Sequence, residues 1–218
     1  MDKEITSIRA QKRNPARVNI YLDGEYAFAL SRITAAWLEV GRKIDEQAIE
    51  QLRSQDEVET AYQKALHYLS FRPRSEREVL DSLTAKGFSQ ALAQTTVARL
   101  KDEKLLGDPS FSHTWIENRN TFRPRSHRML RYELLQKGVS EDTIQEALAV
   151  AGIEEEKLAY KAGLSKASKL STSDWHTFKS KIGSFLARRG FPYTVIEPVL
   201  KRLWQETEAA GDVQKENE

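Results

Sequence analysis

Phe71-Arg72-Pro73-Arg74-Ser75 returns letter for letter as Phe122-Arg123-Pro124-Arg125-Ser126, a shift of 51 residues. The positions around it agree at the same shift: Val79 with Leu130, Leu83 with Leu134, Lys86-Gly87 with Lys137-Gly138, Ser89 with Ser140 and Val97 with Leu148. These are core, helix-stop and helix-start positions, so a whole structural unit is repeated. Before the first copy, Ala61, Tyr62, Ala65, Leu66 and Leu69, with Val58, follow the i, i+3, i+4 spacing of one buried helix face. Pro73 stops that helix, and Ser75 followed by Glu78 is a capping box that opens the next. Gly87 stops the second helix, and Ser89 caps a third whose inner face carries Ala93, Val97 and Leu100.

A fainter third copy lies at a shift of 103, where Ile182, Leu186, Gly190, Phe191 and Leu203 meet Val79, Leu83, Gly87, Phe88 and Leu100. Its first helix is expected over Glu156–Lys169, and its last must start near Thr194 or kink at Pro198. Ahead of the repeats, Val18–Leu22 and Tyr26–Leu30 flank Asp23-Gly24, a β-hairpin signal, and Glu4–Gln11 reads as a third strand. Ser31 is expected to cap a short helix running to Val40, with Trp37 packing the β element onto the repeats. The fold class is therefore mainly α: a tandem array of three three-helix repeats, elongated and curved, behind a small N-terminal β-hairpin or meander. The expected division is a β element with its short helix at 1–44, repeats at 45–107, 108–155 and 156–205, and an acidic, unstructured tail at 206–218.

Composition excludes several classes. There is no cysteine among the 218 residues, hence no disulfide framework, thiolate zinc site or cysteine nucleophile. Apolar runs are short and broken by charge, which predicts no membrane span, and the N-terminus lacks the apolar stretch of a signal peptide. A cytoplasmic monomer is expected. His67, His113, His127 and His176 are far apart in the chain, and no Gly-rich phosphate loop or nucleophile elbow is present. No enzyme activity, metal or cofactor is expected.

Net charge misleads. The sum is +2, but residues 157–205 carry ten basic and two acidic side chains, while 206–218 carry one and five. Within 119–137, Arg119, Arg123, Arg125, Arg128, Arg131 and Lys137 face only Glu133. Two basic stretches are thus masked by acid elsewhere, and such patches bind phosphate backbones or acidic protein surfaces. The candidates are Arg72 and Arg74 at the first corner, Arg119, Arg123, Arg125, Arg128 and Arg131 around the second, and Lys179, Lys181, Arg188 and Arg189 in the third repeat. The competing reading makes them solvated helix faces, or dipole partners of the preceding helix with Glu76 and Glu78 nearby.

Leu100-Lys-Asp-Glu-Lys-Leu-Leu-Gly-Asp108-Pro-Ser-Phe111-Ser-His-Thr-Trp115, together with Arg119…Arg123-Pro-Arg-Ser126…Leu130-Arg-Tyr-Glu133-Leu134…Lys137-Gly138, resembles the RecX family of recombination regulators. Ala65-Leu66…Arg72…Arg74-Ser75…Glu78…Leu83…Lys86-Gly87 resembles that family's first repeat, and the likeness runs over residues 5–205. It implies a non-enzymatic protein that lies along the groove of the RecA–DNA filament. It further implies lowered ATP hydrolysis, strand exchange and co-protease activity, with single- or double-stranded DNA as a second partner. The alternative is a sequence-nonspecific nucleic-acid-binding repeat protein with no recombinase partner. A metal-dependent nuclease, assembled from distant carboxylates, is the third reading.

Overall fold

The computed structural model describes residues 2–170 and 174–215, with side chains through Glu208. The N-terminal strands β1 (Lys3–Ala10), β2 (Arg17–Leu22) and β3 (Glu25–Ser31) form antiparallel pairs. Asp23 and Gly24 both have positive φ, 50° and 87°, the requirement of the two-residue turn whose twist matches the strands. Alternate residues of β2 point inward, so Val18, Ile20 and Leu22 meet Ile5, Phe28 and Leu30 in one core. A two-residue β4 (Lys43–Ile44) adds to the far edge of β1, giving the order β3-β2-β1-β4. Sequence reasoning missed it because two residues carry no alternation.

The helix expected from Ser31 to Val40 is only a four-residue 3₁₀ turn, Thr34–Trp37. The Ser31 hydroxyl accepts from the Thr34 N–H, but the N-cap position itself is Ile33, which has no side-chain acceptor, and the backbone is extended again at Leu38. Leu38 packs on the core of the sheet, and Trp37 is 85% exposed. The expected packing role of Trp37 is therefore wrong: a turn this short buries one side and presents the indole to solvent.

Helix α1 (Glu46–Leu69) starts at Asp45, whose carboxylate accepts from the Ala48 N–H. Its first half closes the sheet core through Ile49. Buried Asp56 accepts from Arg17 Nη2 at 2.8 Å and from the Ser31 N–H, which satisfies a carboxylate that would otherwise be costly there. Val58, two residues on, lies about 200° round the helix and is exposed, against the expected stripe. Ala61, Tyr62 and Ala65 continue the buried face.

The repeats then follow as α2 (Glu76–Ala85) and α3 (Gln90–Asp102), α4 (Asp108–Phe122), α5 (His127–Gln136) and α6 (Glu141–Ala151), and α7 (Glu155–Ala167), α8 (Trp175–Arg188) and α9 (Tyr193–Lys215). The capping box at Ser75 forms in both directions, and Ser89, Ser126 and Ser140 each accept from an N–H three residues on. Leu130, Leu134 and Ile144 are fully buried in the second repeat, Phe178, Ile182 and Leu186 in the third. Among the described residues this is the mainly α repeat fold that the sequence predicts.

The last helix starts at Tyr193 and runs through Pro198. The acidic stretch from Glu206, expected to be unstructured, continues it as helix to Lys215. Glu206 accepts from Tyr160 Oη and from Arg202 Nε, which holds that part of the helix to α7. Residues 216–218 of the expected tail lie outside the described residues.

By its contacts the chain divides into two compact units, one of Met1–Arg74 with Val79–Leu105, the other of Ser75–Glu78 with Leu106–Glu218. Leu134→Ala should lower stability by about 2–5 kcal/mol, the range for a buried leucine, as read from urea unfolding midpoints.

Candidate functional site

The two Phe-Arg-Pro-Arg-Ser corners are built alike, and the difference between them defines the site. At the first, Ser75 Oγ donates to the carbonyl of Lys137, the C-cap of α5, and the Glu76 N–H donates to Asp108 at the start of α4. At the second, the Ser126 N–H donates to the carbonyl of Arg189, the C-cap of α8, and the His127 N–H donates to Glu155 at the start of α7. Each corner thus donates to the last carbonyl of one later helix, through the Ser75 hydroxyl at the first and the Ser126 N–H at the second, and has its next amide met by the acidic beginning of another.

The charges differ. At the first corner Glu78 closes the capping box and pairs with Lys137 Nζ at 2.8 Å. At the second, the equivalent residue is Met129, which has no charge to offer. Ser126 N–H is free of a capping box and bonds Arg189 O instead. Arg189 takes Lys137's place, half-buried, with Nη1 donating to the carbonyl of Pro124. Burial, and then the like charges of Arg125 and Arg123, push its pKa below the usual arginine value. A guanidinium destabilised by two others is an arrangement that favours a bound anion.

Glu133 holds the neighbouring arginines in place. Its carboxylate accepts from Trp115 Nε1 and Arg119 Nε, both at 2.8 Å, and pairs with Arg125 Nη1 at 2.5 Å. Arg119 also lies over the Trp115 ring, 4.4 Å from its centroid. One carboxylate thus serves two guanidiniums and an indole, while Arg123 beside them is exposed.

The remaining predicted residues divide clearly. Arg131 points away to Glu141, 2.6 Å distant, and its hydrogen bond holds that carboxyl below the usual range. Arg128 is exposed, as are Lys179, Lys181 and Arg188 on α8, and none of these four makes an ion pair among the described residues. At the first corner Arg72 Nη1 donates to Pro73 O and Arg74 stacks over Tyr68, 3.9 Å from the ring centroid. The structure therefore gathers Arg119, Arg123, Arg125 and Arg189, and leaves Arg131 outside the group.

Trp115 and Trp204 are half-buried against the core, whereas Trp175 is at the surface, stacked on Phe178 and edge-on to Trp204. Sequence reasoning missed Glu133 and Met129. Aligning the copies position by position, with Glu78 against Met129, carries the signal for the second.

A cleft of about 450 Å³ lies between α4, α6 and α7, walled by Ile116, Ala147 and Leu158 with His113, Glu117 and Lys161 at its edges. Among the described residues no three His, Asp or Glu side chains come together to hold a metal ion, and no helix is long and apolar enough to cross a membrane.

Among the described residues the chain is thus an array of three-helix repeats with a basic, arginine-rich corner, behind a small sheet. Family models agree along the chain: the regulatory protein RecX N-terminal domain at residues 3–45, and the first, second and third RecX three-helix domains at 61–100, 108–148 and 154–200. The chain is 35% identical over 221 residues to Regulatory protein RecX of Bacillus licheniformis, covering 98% of this chain and 81% of that protein. It is 31% identical over 205 residues to Regulatory protein RecX of Clostridium perfringens strain 13, covering 92% and 96%. A crystal structure of regulatory protein RecX superposes with a TM-score of 0.67 at 26% identity, covering 90% of this chain and 98% of that one. RecX from Lactobacillus salivarius, at 24% identity, shares the fold with a TM-score of 0.59 over 68% of this chain and 97% of its own. The chain belongs to the RecX family of regulatory proteins.

Glu103, Glu141 and Glu206 each titrate below the usual carboxylate range. Tyr62 and then Arg99 are responsible at the first, Arg131 at the second, and Tyr160 and then Arg202 at the third. A depressed folded-state pKa adds stability that is present above the unfolded value and is lost as pH falls through the folded one. Urea midpoints should be level near neutrality and decline between about pH 5 and pH 2, and Glu141→Gln should remove the share due to Arg131.

Proposed function

We propose that this protein binds the filament that the RecA recombinase forms on DNA, lies along its groove and lowers its ATP hydrolysis, strand exchange and co-protease activity in the cytoplasm. The match of all four RecX segments along the chain carries this reading. The basic surface supports it: Arg123, Arg128, Lys179, Lys181 and Arg188 are exposed and make no ion pair among the described residues, which suits an acidic, repetitive partner more than a small molecule. The protein acts by occupying the filament and shifting its populations, with no bond made or broken.

RecA-coated single-stranded DNA titrated with the protein tests the reading. ATP hydrolysis should fall at near-stoichiometric ratios, and no change there would refute it. A triple variant, Arg123→Glu, Arg128→Glu and Arg188→Glu, should need about tenfold more protein for the same effect while its thermal midpoint stays within a degree or two, because all three side chains are exposed. Tight binding to free DNA with no effect on the filament would favour the nucleic-acid-binding alternative.

A further inference from the structure

The second corner is a variant of the first in which the neutralising acid has been left out. At the first, the C-cap cation Lys137 is balanced by Glu78. At the second, Gly190 next to the C-cap cation Arg189 approaches Met129, and Arg189 Nη1 donates to the carbonyl of Pro124, the residue between Arg123 and Arg125. The position is not too tight for an acid: Glu and Met are of similar length, and Glu at the third residue of a helix after Ser is favourable. Omitting it removes the ion pair, while the Ser126 N–H, which such an acid would serve, bonds the Arg189 carbonyl instead.

We infer that Arg123, Arg125 and Arg189 at the Ser126 corner form a binding site for one phosphodiester group of nucleic acid. The donors come from two separate segments, the loop between α4 and α5 and the end of α8. Donors converging from different directions suit a tetrahedral phosphate, whereas a planar carboxylate takes one guanidinium fork edge-on. The one carboxylate in the cluster, Glu133, is already fully engaged with Trp115, Arg119 and Arg125. That engagement pre-positions Arg125, and the bond from Arg189 Nη1 to Pro124 O does the same for Arg189. Arg123 is exposed and can close over the anion. Phe122, 74% exposed beside it, offers a face on which a base can stack. The inference rests on the proposed function only in naming the filament's DNA as the source of that phosphate.

The test is binding of a fluorescent single-stranded oligonucleotide by the free protein, without recombinase, across a salt series. Arg123→Gln should weaken binding about tenfold and lower the slope of log affinity against log salt by roughly 0.7, one phosphate contact. Met129→Glu restores the acid of the first corner, so it should weaken binding at least as much while the thermal midpoint holds or rises. A merely structural role for the cluster predicts no loss from either change. Equal binding by wild type and both variants, or no oligonucleotide binding at about 50 mM salt, overturns the inference. So does competition by poly-glutamate as effective as that by the same charge of oligonucleotide, which would make the corner a dock for protein carboxylates. In each of these cases a preserved effect of wild type on recombinase ATP hydrolysis leaves the regulatory reading standing.

Discussion

The two proline corners of the second unit obey one recurring hydrogen-bonding constraint: a helix that starts there has backbone donors to satisfy. The Ser75 and Ser126 hydroxyls each serve one N–H within their own first turn. The first-turn amides of Glu76 and His127 are met from elsewhere, by Asp108 and Glu155. The C-cap carbonyls of Lys137 and Arg189 are orphans of the opposite sign, and the same corners supply their donors. Two sets of unsatisfied groups thus cancel, and the cancellation fixes where α4, α5, α7 and α8 sit relative to those corners. Glycine is required at the close approach: a Cβ on Gly190, at φ +91°, would meet Ser126 Oγ at 2.5 Å and Met129 Cβ at 3.0 Å.

With its Ser126 N–H bonded to a backbone carbonyl, the second corner does without the capping carboxylate that the first takes from Glu78. That difference separates two corners with identical Phe-Arg-Pro-Arg-Ser sequences. One is neutralised by Glu78 and Lys137, and in the other the fold tolerates several clustered guanidiniums, with Glu133 holding two of them. Half-buried cations held in place by backbone carbonyls and one shared carboxylate lose little rotamer freedom when an anion arrives, which is the usual origin of a preorganised anion site. The exposed bases of α8 and Arg128 differ in kind: they are long, solvated side chains suited to steering and salt-sensitive contact.

The repeat, its caps and its core were legible in the sequence because each rests on a local rule. Ser at an N-cap, glycine after the last turn and leucine at helical spacing mean the same thing in any context. The misjudged features depended on distant contacts. Trp37 looked like a packing residue by type, but the turn under it is too short to face the array. Val58 fitted the apolar stripe, yet Asp56 occupies the inward position because Arg17 and the Ser31 N–H reward it there. The stretch from Glu206 looked unstructured by composition, until Tyr160 and Arg202 gave it partners.

The sequence by itself determined the unit of construction, since helix starts, stops and buried faces are encoded within a few residues of one another. It also determined that the charge is segregated, because counting needs no coordinates. Only the tertiary structure decided which charges act together. Arg125 and Arg189 are more than sixty residues apart in the chain, and no local rule relates them. They become neighbours because a serine N–H at one corner needs an acceptor and the end of α8 has a carbonyl to give.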